Sequence, residues 1–187
     1  GYIAGNDGGY VKTDVTGNVN ANADGDIYIH HTGDLKLLAV ATNKSANFKA
    51  DDNILMYTDP NTEAQGYITA SVVNLTATDG SIGEADNAVR ILDNGVVVNA
   101  DATGNIVLEG VSGTGSTDEL VLGTIKGINL DVTSAGNVSI GKDASEDEAA
   151  VEGSIEVNGD ASISAEDGSV TQTADSNITA NAVNASA

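Results

Sequence analysis

The sequence contains no cysteine and no tryptophan, one proline, one phenylalanine and one arginine among its 187 residues. Without cysteine there is no disulfide framework and no thiolate site for zinc or iron–sulfur. Positive charge is scarce, with 7 basic residues against 28 acidic and a formal net charge of −21. A field of that sign repels phosphate backbones, so nucleic acid is not an expected partner. It also repels anionic headgroups, and no stretch approaches the ~18 apolar residues of a membrane span, so no direct membrane insertion is expected. Aromatic residues make up only 3% of the chain, too few to fill the centre of a typical sandwich. The charged n-region and apolar h-region of a secretion signal are also missing. The chain opens at Gly1 and stops at Ala187 within a pattern that is still running. The expectation is one unit, residues 1–187, cut from a longer repeat protein.

What the sequence has in abundance is a repeated phrase. A glycine, a small polar residue and then alternating apolar and polar positions recur at Gly25-Asp26-Ile27-Tyr28-Ile29 and Gly33-Asp34-Leu35-Lys36-Leu37. The same phrase returns at Gly104-Asn105-Ile106-Val107-Leu108 and Gly136-Asn137-Val138-Ser139-Ile140, and again at Gly153-Ser154-Ile155-Glu156-Val157. Period-two alternation is the mark of a strand with one buried face. It assigns inward positions to Ile27 and Ile29, Phe48 and Ala50, Ile54 and Met56, and Val73, Leu75 and Ala77. Ile106 and Leu108, Leu120 and Leu122, Ile128, Leu130 and Val132, and Ile155 and Val157 follow the same rule. Glycine beside Asn or Asp is expected to supply positive backbone angles at tight corners. No segment carries a sustained 3.6-residue stripe, so essentially no helix is expected.

An antiparallel sandwich would also show short strands at this spacing. The recurrence of one local phrase, and the small or medium aliphatics at inward positions, favour a right-handed parallel β-helix, an all-β solenoid. At about 19 residues a winding the chain would hold about 10 coils, a rod of about 45–50 Å at the ~4.8 Å strand spacing. Each coil of such a rod is completed only by its neighbours, so neighbouring coils of the parent protein are expected partners.

Gly80-Ser81-Ile82-Gly83-Glu84-Ala85-Asp86-Asn87-Ala88-Val89-Arg90-Ile91, with the Gly-Asn/Asp/Ser phrases and Gly168-Ser169-Val170-Thr171-Gln172-Thr173, resembles the filamentous-haemagglutinin-type large exoproteins of Gram-negative bacteria. That group includes two-partner-secreted filamentous adhesins, leukotoxin-like ones among them. The resemblance extends over most of the chain in style, but in a specific motif only over residues 80–91, and Ala88 stands where that family often has proline. It implies a shaft segment of a secreted or surface-displayed adhesin, associated with the Gram-negative outer membrane. Its partner would be a host-cell or bacterial surface receptor or glycan.

No constellation points to catalysis. His30 and His31 are neighbours on a strand and point to opposite faces, so they do not converge on one metal or one proton; His30 is placed outward beside Tyr28. Asp143, Glu146, Asp147, Glu148 and Glu152 fall in a stretch without alternation, read as a solvated acidic loop protruding from the shaft. Asp143, Glu146, Asp147 and Glu148 are also the candidates for Ca²⁺, which takes several oxygen ligands, although their spacing is not that of an EF-hand. No cofactor is otherwise expected. A β-helix polysaccharide lyase or hydrolase needs paired carboxylates together with aromatic or basic groups to hold sugar, and the few such groups here are scattered. Arg90 is read as an exposed strand residue. Tyr28, Tyr57 and Tyr67 are candidate partner-binding residues, since exposed tyrosine anchors a partner at low entropic cost. Tyr57 lies just ahead of Asp59-Pro60-Asn61, the only proline-containing loop.

Overall fold

The computed structural model describes residues 1, 3–5, 9–113, 118–145 and 149–187. The described residues contain no helix, and therefore none long and apolar enough to cross a membrane. The first strands are β1 Val11–Thr13, β2 Val19–Ala23, β3 Ile27–His31, β4 Leu35–Thr42, β5 Ser45–Ala50 and β6 Ile54–Met56. Next come β7 Ile68–Thr69, β8 Val72–Ala77, β9 Val89–Leu92, β10 Asn94–Ala102, β11 Ile106–Val111 and β12 Glu119–Gly127. The last are β13 Leu130–Ser134, β14 Asn137–Ile140, β15 Ser154–Val157, β16 Asp160–Ala165, β17 Val170–Gln172, β18 Asn177–Thr179 and β19 Ala182–Ser186.

These strands form two sheets whose ladders are parallel throughout. One sheet runs β1-β3-β5-β8-β10-β12-β14-β17, with β15 and β18 extending from β12; the other runs β2-β4-β7-β9-β11-β13-β16-β19, with β6 beside β4. Each path has eight strands. The chain alternates between the sheets, so each successive strand of a sheet stacks on the one before it. The antiparallel contacts among the described residues are isolated bridges, Thr58 with Gln65, Glu84 with Asn87 and Lys142 with Val151. Windings are of unequal length. Corner residues bonded from one rung to the next are 19 residues apart at Asp34 and Asn53, 24 at Asn105 and Asn129, and 32 at Asn137 and Ser169.

In-register stacking turns the period-two pattern into continuous apolar columns. One runs Ile29, Phe48, Leu75, Ala100, Ile125, Ile155 and Ile178. On the opposite sheet Leu35, Ile54, Ile82, Ile106, Leu130, Ala161 and Val183 align. Every inward position expected from the alternation is buried except Ile128, which is 45% exposed. The chain turns between β12 and β13 at that point, and Asn129 is tied by its side-chain Nδ2 to Asn105 Oδ1 at 2.9 Å. The alternation restarts after the corner, which leaves Ile128 facing water.

The glycine-polar phrase is a corner device; positive backbone angles are part of its chemistry at Gly33 and Gly95, and side-chain bonds between rungs are the rest. The polar side chain accepts the backbone N–H of the equivalent residue on the following rung. Asn53 N–H donates to Asp34 Oδ1, Ser81 N–H to Asn53 Oδ1, Asn105 N–H to Ser81 Oγ and Asp160 N–H to Asn129 Oδ1. These bonds satisfy backbone donors where the strands end. Among the described glycines only Gly33, Gly83, Gly95 and Gly141 have positive φ. Elsewhere the requirement is close approach: a Cβ on Gly104 would lie 2.9 Å from the carbonyl oxygen of Gly80 on the rung before.

Candidate functional site

Four features decorate the stack: three excursions that interrupt its rungs and one outward face. The eight-residue strand β4 is matched on the next rung by β6 and β7 together, with residues 57–67 looped out between them. The loop closes through the Thr58–Gln65 bridge, and Glu63 takes a left-handed backbone (φ 56°). The backbone N–H of Asn61 holds the Asp59 carboxyl below its ordinary range. The next rung makes a shorter excursion at 84–88, opened by Gly83 (φ 72°) and closed by reciprocal backbone bonds between Glu84 and Asn87 of 3.1 and 2.9 Å.

The motif residues stack this second excursion against the first. Asn87 Nδ2 donates to Met56 O at 2.8 Å, and Asn87 Oδ1 accepts from Gln65 Nε2 at 2.9 Å. Arg90 is not a free surface residue. Its Nε lies 3.3 Å from Glu109 Oε2 and its Nη1 donates to Gln65 O at 3.5 Å. The 80–91 phrase therefore supplies a corner (Gly80, Ser81), core residues (Ile82, Val89, Ile91) and the ties that hold the 57–67 loop. Tyr57 sits partly buried at the base of that loop, its N–H bonded to Leu37 O at 2.7 Å. Tyr67, 45% exposed, stands at the far end, beside a hollow of about 330 Å³ that also contacts Asn20, Asn22, Ala39, Ala41 and Thr69.

The third excursion leaves the first sheet between β14 and β15, which together match β12. Its base is closed by reciprocal backbone bonds between Lys142 and Val151 of 2.7 and 2.8 Å. Asp143 is exposed there. Glu146, Asp147 and Glu148 lie outside the described residues, so the calcium set rests on Asp143 alone. No group of three or more His, Asp or Glu among the described residues is arranged to hold a metal.

The outward face is built by β1, β3 and β5. Lys12, His30 and Lys49 stand in one register column. Tyr10, Tyr28 and Asn47, two residues earlier on each rung, form the neighbouring outward column. Tyr10 and Tyr28 meet edge to face with centroids 5.6 Å apart, and Tyr10 packs across His30 at 6.4 Å. Burial, then the neighbouring Tyr28, raise the Tyr10 hydroxyl above its ordinary pKa. His30 Nε2 is 2.7 Å from Asp51 Oδ1, and this bond, the largest influence, holds the Asp51 carboxyl below its ordinary range. His31 turns inward as strand alternation requires, is buried, and bonds Thr13 Oγ1 through Nδ1 at 2.8 Å. Beyond Tyr28 the column continues as an amide ladder, with Asn74 Nδ2 donating to Asn47 Oδ1 and Asn99 Nδ2 to Asn74 Oδ1, both at 2.8 Å. Of the three expected tyrosines, only Tyr28 belongs to this cluster. Its partner Tyr10 precedes the first strand by one residue and belongs to none of the repeated phrases, so only the rung register reveals it.

A further groove of about 580 Å³ crosses the second sheet over Arg90, Glu109, Asp131, Thr133 and Glu166, and no aromatic ring lines it. No family model, curated protein or solved structure matches the chain.

Proposed function

We propose that this chain is a right-handed parallel β-helix forming a shaft segment of a secreted or surface-displayed filamentous adhesin. It supports attachment to a host-cell or bacterial surface receptor or glycan. The observation that carries this reading is the unbroken parallel stacking from β1 to the final rung, with a single apolar centre extending along it. A stack of this kind grows by adding windings without changing its cross-section, which is the requirement of a fibre that holds a binding surface away from the cell.

On this shaft the Tyr10–Tyr28–His30 face, flanked by Lys12 and Lys49, is the place where a partner docks. Tyr10 is 40% exposed and offers ring surface at small entropic loss. Beads coated with the protein should adhere to epithelial or bacterial cells above albumin-coated beads, and Tyr10→Ala with Tyr28→Ala should reduce that adherence while electron micrographs still show a short rod. Wild-type beads that adhere no better than albumin would refute the adhesive reading. A rounded particle in the micrographs would refute the shaft.

A further inference from the structure

Asp93 links β9 to β10 and is the only fully buried carboxylate among the described residues, with 0% of its surface exposed. Its Oδ2 accepts from Ser134 Oγ at 3.0 Å and from Gly136 N–H at 3.3 Å. Its Oδ1 is buried without a hydrogen-bond partner, and so is Oδ1 of Asp118. The two aspartates are brought together by the rung stacking. Asp93 O accepts Glu119 N–H at 2.8 Å, and a Cβ on Gly136 would come within 2.6 Å of Asp118 Cβ. The fully buried Asp93 carboxylate, with one oxygen bare, demands a positive charge or a proton, because an unpaired buried charge is strongly unfavourable. Among the described residues the oxygen ligands here are too few for a cation such as Ca²⁺, and no group of three or more His, Asp or Glu among them is arranged for a metal. A proton on Asp93 Oδ1 needs no further ligand.

We propose that Asp93 holds a proton on Oδ1 beside the Asp118 carboxylate, as an acid-strengthened clasp between successive rungs. The proton comes from solvent and returns to it when the pair ionises, so no other group changes state. Burial, and secondarily the charge of Asp118, raise the Asp93 pKa, against the lowering effect of the Ser134 and Gly136 bonds. The other charged groups on the surrounding elements are engaged elsewhere or wetted. Arg90 pairs with Glu109, Glu119 accepts from Ser139 Oγ, and Glu166 and Asp167 are exposed. For an acid whose folded pKa is raised, the stabilisation is complete below the unfolded pKa and is lost as pH rises through the folded value.

The test compares melting temperatures of the wild type, Asp93→Asn and Asp118→Asn between about pH 5 and about pH 8. Asparagine at 93 places a permanent donor where the proton would sit. The Asp93→Asn protein should therefore melt higher than wild type at the alkaline end, and the difference should shrink toward the acid end. The general effect of relieving charge repulsion is shared by both proteins and cancels in that difference. Asp118→Asn should likewise reduce the pH-dependent component. Infrared spectra of wild type labelled at the aspartate carboxyl carbon should show a protonated carboxyl band that persists where the other aspartates are ionised and that Asp93→Asn removes. A difference that stays constant with pH, the absence of that band, or a wild-type melting temperature raised by Ca²⁺ but not in Asp93→Asn would each overturn the proposal.

Discussion

Replacing Phe48 by alanine probes the apolar centre where its side chains are largest. Phe48 is 1% exposed and sits in register between Ile29 and Leu75, with Ala100 one rung further. The ladder hydrogen bonds hold these rungs at the ~4.8 Å strand spacing, so the walls of the new cavity collapse little. Removal of a buried phenylalanine with limited relaxation costs about 3–5 kcal/mol. For a chain of this length each kcal/mol lowers the melting temperature by about 2–4 °C, giving a fall of about 6–20 °C. The location of the damage is as informative as its size. In a quasi-one-dimensional stack a rung touches only its neighbours, so hydrogen exchange should accelerate in β3, β5 and β8 while β13 and β16 keep their protection. Equal acceleration in β13 and β16 would show one globally cooperative core and refute the reasoning.

Gly104→Ala should destabilise by about 1–3 kcal/mol, the range for overpacking a tight contact, because its Cβ would press on the Gly80 carbonyl 2.9 Å away. Urea unfolding checks it, and a midpoint at or above that of wild type contradicts the close-approach account. Asn87→Ala removes the bonds to Met56 O and Gln65 Nε2. Proteolysis within residues 57–67 should accelerate markedly while the melting temperature changes little, and an unchanged cleavage rate would mean that the loop is held by something other than Asn87.

The strands were legible because burial on one face writes itself into alternate positions, and Ile27, Phe48, Leu75 and Ile106 all obey it. Alternation records only whether a residue points in or out, so it is silent wherever the chain changes direction. That is why Ile128 is exposed although its pattern places it inside. The number of windings depended on a constant repeat, and the excursions at 57–67 and 84–88 and the long step from Asn137 to Ser169 break that constancy. The reason for the glycines was hidden for a related cause: a contact between Gly80 and Gly104 exists only once the register is known. The Tyr10–Tyr28 pair and the Asp93–Asp118 pair are likewise products of stacking, invisible to local pattern. Arg90 stands out in the sequence as the sole arginine, but its ties to Glu109 and Gln65 cross between rungs.

The central claim is that successive rungs lie in register along one axis, and the absence of cysteine makes it directly measurable by paired nitroxide labels on introduced cysteines. Lys12, His30, Lys49, Thr76, Asp101, Lys126, Glu156 and Thr179 form one outward column. At ~4.8 Å a rung, the Lys12–Lys126 and Lys49–Thr179 pairs should both read about 24 Å, and Lys12–Thr179 about 34 Å. Unequal values for the first two pairs, or a Lys12–Thr179 distance no longer than either, would contradict the stack.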